Sequence, residues 1–183
     1  MEYVRIAEDR IGAVIGKDGE VKSKIEDSLG VRLEVNSAEG VVTVENAGSD
    51  PLAEWKAKDV VSAINFGIAP DAALKLKDDE HTMIVINLSD IVGRSKKAVA
   101  RQKARIIGRQ GKTKVHISEL TGAAVSVKGR HIAIVGRTEE VMVAKDAIEA
   151  LACGLPHGVV YKALEKKCSS MKMRRNVEMW RHK

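Results

Sequence analysis

Apolar residues along the chain follow one pattern twice. Val31, Leu33 and Val35 alternate with Arg32 and Glu34, and an alternation returns 92 residues later at Ala123, Val125 and Val127. A period of two predicts a strand with one buried face. The same offset aligns Val14-Ile15-Gly16-Lys17-Asp18-Gly19 with Ile106-Ile107-Gly108-Arg109-Gln110-Gly111, Ile25 with Ile117, and Gly30 with Gly122. Each copy continues with a polar turn (Asn36–Gly40, Lys128–His131), a second apolar strand (Val41–Val44, Ile132–Val135) and an amphipathic helix (Pro51–Phe66, Glu139–Leu151). A repeat of this length predicts two copies of one module.

In the second copy the β-branched run Thr82–Leu88 predicts a first strand. Ser95–Ile107 holds no Gly or Pro and predicts a long helix that Gly108 stops, and a shorter helix over Thr113–Thr121 ends at Gly122. The first copy opens on a strand near Tyr3–Ala7. The order β-α-α-β-β-α predicts an α+β fold, with a three-stranded antiparallel sheet and three helices on one of its faces in each copy. We divide the chain into a first domain at 1–70, a linker at 71–80, a second domain at 81–154 and a C-terminal helix with a basic tail at 155–183.

Charge separates the two copies. Residues 1–79 carry 10 basic and 16 acidic side chains, residues 80–161 carry 13 and 7, and residues 162–183 carry 8 and 2. Between Arg94 and Lys114 stand nine Lys/Arg and no Asp or Glu. The second half is therefore built to meet an anion, whereas the net charge of +6 alone says little. Aromatics make up 3% of the chain, so the core is aliphatic and aromatic stacking is a minor resource. Cys153 and Cys168 form no CxxC and read as thiols of a reducing compartment. The first residues carry no signal-peptide pattern, and no apolar run approaches the ~18 residues of a membrane span. A cytoplasmic protein with no membrane partner is expected.

A Gly-x-x-Gly between two helices suits a phosphate backbone. The first glycine breaks one helix and the second opens the next, so amide N–H groups and a positive helix end face outward. Without Cβ atoms, a sugar-phosphate chain can lie close to the loop. In the second copy Arg109, Gln110, Lys112 and Lys114 all donate hydrogen bonds, Ile106, Ile107 and Val125 offer an apolar floor, and the turn with Lys128 and Arg130 adds a cationic lip.

Two such loops in register, with Leu120-Thr121-Gly122-Ala123 downstream, resemble the K-homology (KH) domain in its type I form. The resemblance implies single-stranded RNA binding, the loop clamping about four backbone nucleotides. The runs Ile84-Val85-Ile86-Asn87-Leu88-Ser89-Asp90, Arg105 to Thr113 and Gly154-Leu155-Pro156-His157-Gly158 extend the likeness over nearly the whole chain, to the tandem-KH assembly factors of the small ribosomal subunit. This implies binding near the 3′ end of the small-subunit rRNA, in company with the endonuclease that matures it and other assembly or initiation factors. The expected RNA-binding residues are Gly108, Arg109, Gln110, Gly111, Lys112 and Lys114, with Arg101, Arg105, Ile107, Lys128 and Arg130 beside them. Gly16, Lys17, Asp18, Gly19 and Lys22 form a secondary RNA or partner site, because Asp18 and Glu20 put negative charge on the first loop. Lys22 and Lys114 stand where many KH domains carry an apolar residue.

Other chemistries fail on spacing. Gly12 is too close to Gly16, and Asp18 follows Lys17, so no phosphate-binding loop of the NTPase kind is formed. The five histidines are scattered, no metal or cofactor is implied, and Asp78-Asp79-Glu80 reads as a solvated linker. His157 reads as a turn or capping residue. A non-enzymatic RNA-binding factor for rRNA processing is expected, with a general KH regulator or exosome-type accessory as the alternative. Val160, Leu164, Lys167 and Met171 fall near helical spacing, and residues 159–170 read equally as a helix packed on the second module or as an RNA- or partner-binding arm. From Met171 a flexible basic extension is expected, with Trp180 free to stack on a base.

Overall fold

Both alternating segments are strands. The computed structural model describes residues 1–181 and the side chains of residues 1–175, and it divides into two compact units at Met83/Ile84. The first contains β1 (Glu2–Arg5), α1 (Glu8–Ile15), α2 (Glu20–Leu29), β2 (Val31–Asn36), β3 (Val41–Asn46) and α3 (Ala53–Asn65). β3 is central and antiparallel to both neighbours, with Val42 opposite Val4 and Val35. Val31, Leu33, Val42 and Val44 are buried while Arg32 and Glu34 are exposed, so the alternation sorts the sheet into a helix-covered face and an open one. Val14, Ile25, Val60 and Ile64 close this core from the helices. Where the sequence predicts a linker, Pro70–Ala73 forms a short helix, α4, followed by a 3-10 turn at Leu74–Lys77. Ala73 and Leu76 are buried there, which anchors the segment.

The second unit repeats the scheme with β4 (His81–Asn87), α5 (Leu88–Val92), α6 (Lys96–Ile107), α7 (Lys112–Thr121), β5 (Ala124–Lys128), β6 (His131–Arg137), α8 (Thr138–Ala152) and α9 (His157–Arg181). Its strand order, β4-β6-β5, matches that of the first sheet. Two helices, α5 and α6, occupy the place of α1. The Asn87 side chain accepts a hydrogen bond from the Ser89 N–H at 3.2 Å and starts α5, and Ser95 caps α6 by accepting from the Ala98 N–H at 3.5 Å. The intervening Gly93 has φ 78°, a conformation that favours glycine, and it separates the two.

The C-terminal segment departs from expectation. α9 runs unbroken through Met171 to Arg181, where a flexible extension is expected. Val160, Leu164, Cys168 and Met171 are buried, and the first three join the core formed by α7, α8 and the sheet. Their spacing keeps one stripe of the helix against the unit over three turns. Cys168 rather than Lys167 belongs to that stripe. Lys167 turns outward and donates to Asp146 Oδ2 at 2.6 Å. Burial pushes the Cys168 thiol above its ordinary value, so it sits in the core as a neutral group. The side chain of Trp180 lies outside the described residues. Among the described residues no helix is long and apolar enough to cross a membrane.

α9 is thus part of the fold, which urea unfolding can test. Leu164→Ala should cost about 2–5 kcal/mol, as for a core leucine. A loss within ~0.5 kcal/mol, the size of a surface substitution, would return α9 to the status of an arm.

Candidate nucleic-acid interface

The two loops have the same backbone. Gly16 lies at φ 77°, ψ 179° and Gly108 at φ 73°, ψ 178°, a region that essentially only glycine enters. Asp18 and Gln110 follow at φ 54°, ψ 24° and φ 54°, ψ 28°, and then Gly19 and Gly111 at φ 83°, ψ 6° and φ 77°, ψ 6°. Packing accounts for the first glycine. A Cβ on Gly108 would stand 2.2 Å from Thr113 Oγ1 and 2.9 Å from its backbone nitrogen, and one on Gly16 would stand 2.6 Å from Val21 Cγ2. The incoming helix is therefore pressed against the outgoing one. Around the second glycine, Gly19 or Gly111, a Cβ would meet nothing within 4 Å, so that side of each loop is open.

Side chains then separate what the backbone makes equal. In the second loop Arg109, Gln110 and Lys112 are exposed, and Lys114 is half-buried on α7. Arg101, Arg105, Gly108, Arg109 and Lys112 converge on one concavity. Ile107 is half-buried at the end of α6, Lys128 is half-buried in β5 and Arg130 is exposed in the following turn; these three do not line it. Ile106 and Val125, expected as groove floor, belong to the core. Their burial follows from the same alternation that identified the strand and from the helix face one position before Ile107. In the first loop Lys24 Nζ sits 2.7 Å from Glu20 Oε1. The hydrogen bond and charge of Lys24 hold the Glu20 carboxyl below the usual carboxylate range, so this loop keeps its anion. Lys22 stands 3.8 Å from Glu26.

Three residues that the sequence reading passed over or read differently anchor the second loop. The Tyr161 hydroxyl donates to Thr113 Oγ1 at 3.0 Å, directly beneath Gly108. His157 Nε2 is 3.0 Å from the Arg105 carbonyl, so this turn residue is tied to α6. Tyr161 meets His116 edge to face, with ring centroids 4.6 Å apart. Arg105, expected to contact phosphate, instead donates through Nη2 to the Leu155 carbonyl, and its Nε is buried without a partner among the described residues. Both helices that flank the loop are thereby tied to the start of α9. The one signal of this in the sequence was the Pro156-His157-Gly158 turn with Tyr161 one helical turn on.

Two β-α-α-β-β-α units, each carrying a Gly-x-x-Gly turn between its helices, define a tandem KH protein of type I. The KH family model matches residues 1–63, and that of the second KH domain of PNO1, described as a eukaryotic-type KH domain (type I), matches residues 82–169. A KH domain-containing protein of Methanocaldococcus jannaschii is 45% identical over all of this chain and 80% of its own length. The pre-rRNA-processing protein pno1 of Aspergillus fumigatus is 30% identical over 80% of this chain, which spans 59% of that relative. A chain in the crystal structure of the a/eIF2α–aDim2p–rRNA complex of Pyrococcus horikoshii superposes with a TM-score of 0.84 at 42% identity, covering 92% of this chain and 94% of that one. The chain belongs to the PNO1-like family of KH-domain proteins.

The loop geometry distinguishes its two glycines experimentally. Gly111→Ala should cost about 1–2 kcal/mol, the strain of a left-handed alanine. Gly108→Ala adds the overlap with Thr113 and should cost a further ~1–3 kcal/mol, as overpacking does. Equal losses in denaturant unfolding would mean that the contact with Thr113 does not hold the loop closed.

Proposed function

We propose that this protein is an RNA-binding factor for pre-rRNA processing and assembly of the small ribosomal subunit, acting near the 3′ end of the small-subunit rRNA. One observation carries the reading: two loops share a backbone, and the second surrounds it with cations and no nearby acid in sequence. The names of the relatives support it, pre-rRNA processing for the fungal protein and a complex with rRNA for the archaeal one. Residues 81–154 form the main RNA domain and 1–70 the secondary one. Gly108 to Lys112 make the clamp through the backbone N–H groups of Arg109 and Gln110 and through side-chain donors, while the N–H groups of Gly108, Gly111 and Lys112 bond to the Ala104, Gly108 and Arg109 carbonyls. Lys114, Arg101, Lys128 and Arg130 supply flanking charge, and Ile107 an apolar edge. Arg105 acts by positioning.

The protein works by binding in the cytoplasm, without catalysis or cofactor. The endonuclease that matures the rRNA, assembly factors and an initiation factor are its protein partners; the presence of a/eIF2α in the archaeal complex supports the last of these. The first loop, with Lys17 beside Asp18 and Glu20 and with Lys22 near Glu26, makes a weaker RNA contact or faces protein.

Affinity for a short single-stranded RNA should fall steeply with salt, with a log–log slope of about −3 to −4 if about five phosphates are held. A flat response would contradict a charge-based clamp. Arg109→Asp with Gln110→Asp should lower affinity at least tenfold, or about 1.4 kcal/mol, the scale of one or two charge-assisted hydrogen bonds. The fold should survive, because Asp18 already occupies the backbone conformation of Gln110. Lys17→Asp should cost less, and Lys75→Asp, on the first unit's 3-10 turn, measures the general effect of lost charge. Equal losses from both loops would remove the primacy of the second.

A further inference from the structure

The concavity beside the second loop has a shape and charge that the clamp alone does not use. It is a shallow concavity of about 620 Å³, open to solvent along the loop. Arg101 and Arg105 from α6, Arg109 from the loop and Lys112 from α7 form one side, and His157 and Tyr161 from α9 form the other. Neither Lys114 nor any residue of β5 or its turn lines it, so it lies on the α9 flank of the loop. Four cations converge with no carboxylate in the lining. Arg105 is held through Leu155 and its backbone through His157, which fixes the wall before any ligand arrives.

The repeat supplies an internal control. At the offset of 92, Arg101, Arg105, Arg109 and Lys112 correspond to Asp9, Ala13, Lys17 and Glu20. The first unit keeps the loop and loses the cationic wall, and α3 is followed there only by the short α4 and its 3-10 turn. Wall and long helix occur together, in the unit whose loop is cationic.

We propose that this pocket is a phosphate subsite for a nucleotide of the same RNA strand lying beyond the four that the loop clamps, with Arg101, Arg109 and Lys112 on its phosphate and the Tyr161 ring against its sugar or base. The inference rests on the RNA-clamp reading and extends the bound strand across α6 toward α9. Arg109 belongs both to the loop and to this concavity, so a strand held by the loop can continue into it, where a phosphodiester gains charge-assisted hydrogen bonds from several cations.

Binding of labelled single-stranded RNAs of four and eight nucleotides tests it, using the full chain and a salt titration. The wild type should bind the eight-mer more tightly and with a log–log slope steeper by at least about 0.7, the share of one phosphate. Arg101→Glu should lower eight-mer affinity at least fivefold more than four-mer affinity and remove that extra slope. Lys103→Glu reverses a charge on the same helix outside the pocket and should affect both RNAs alike and weakly. Equal loss on both lengths from Arg101→Glu, no loss on either, or a loss matched by Lys103→Glu would overturn the subsite while leaving the clamp. A normal affinity for both RNAs in the Arg109/Gln110 double Asp variant would instead overturn the clamp, and the subsite with it.

Discussion

The structure depends on one close contact in each unit, the first glycine of the loop against the residue five positions on. Gly108 has no side chain to keep it from Thr113, and Gly16 none to keep it from Val21. That contact makes the end of one helix and the start of the next meet within a single turn, and it forces the backbone where only glycine goes. Inside the turn the Gly111 and Lys112 N–H groups bond back to the Gly108 and Arg109 carbonyls, which holds its shape. A loop held this way loses little freedom on binding, which is where rigid sites gain affinity. The open surroundings of Gly111 and Gly19 complete the arrangement: one glycine serves packing, the other leaves room for a ligand's approach.

Given equal backbones, electrostatics decides which unit favours an anion. Duplication yields two positions of the same shape, and substitution has moved them apart, toward Arg109, Gln110 and Lys112 in one and toward Lys17, Asp18 and Glu20 in the other. A carboxylate beside the path of a phosphate opposes binding through an unfavourable charge that salt only partly screens. Glu20 is exposed and the hydrogen bond and charge of Lys24 lower its pKa further, so a carboxylate stands beside the first loop. The same Lys24 charge that stabilises the anion locally also reduces its reach, which leaves the first loop weakly polar rather than strongly acidic.

The sequence made the sheets, the loops and the type I order legible because each has a short-range signal: period two in strands, glycine at fixed spacing, charge of one sign over Arg94–Lys114. What escaped depends on contacts between distant segments. Asn87 and Ser95 cap two helices where one was read, a detail set by Gly93 between them. Ile106 and Ile107 look alike in sequence, and only the helix phase sends Ile106 inward. Lys167 and Cys168 differ by one position in a helix whose phase its partner α8 sets. Arg105 reads as one more cation of a basic run, yet its guanidinium is committed to Leu155 some 50 residues away.

These long-range contacts place α9 in the functional argument. Its first turns hold both walls of the loop, through His157 to the end of α6 and through Tyr161 to Thr113 at the start of α7. Its later turns bury Leu164 and Cys168 in the same core that supports the sheet. A change in how α9 packs is thus felt at Gly108 with no flexible link between, since tightly packed interiors transmit strain rather than absorb it. The loop alone would be a turn between two helices. Braced from beneath by Thr113 and from the side by α9, it holds its shape against the pull of whatever it binds.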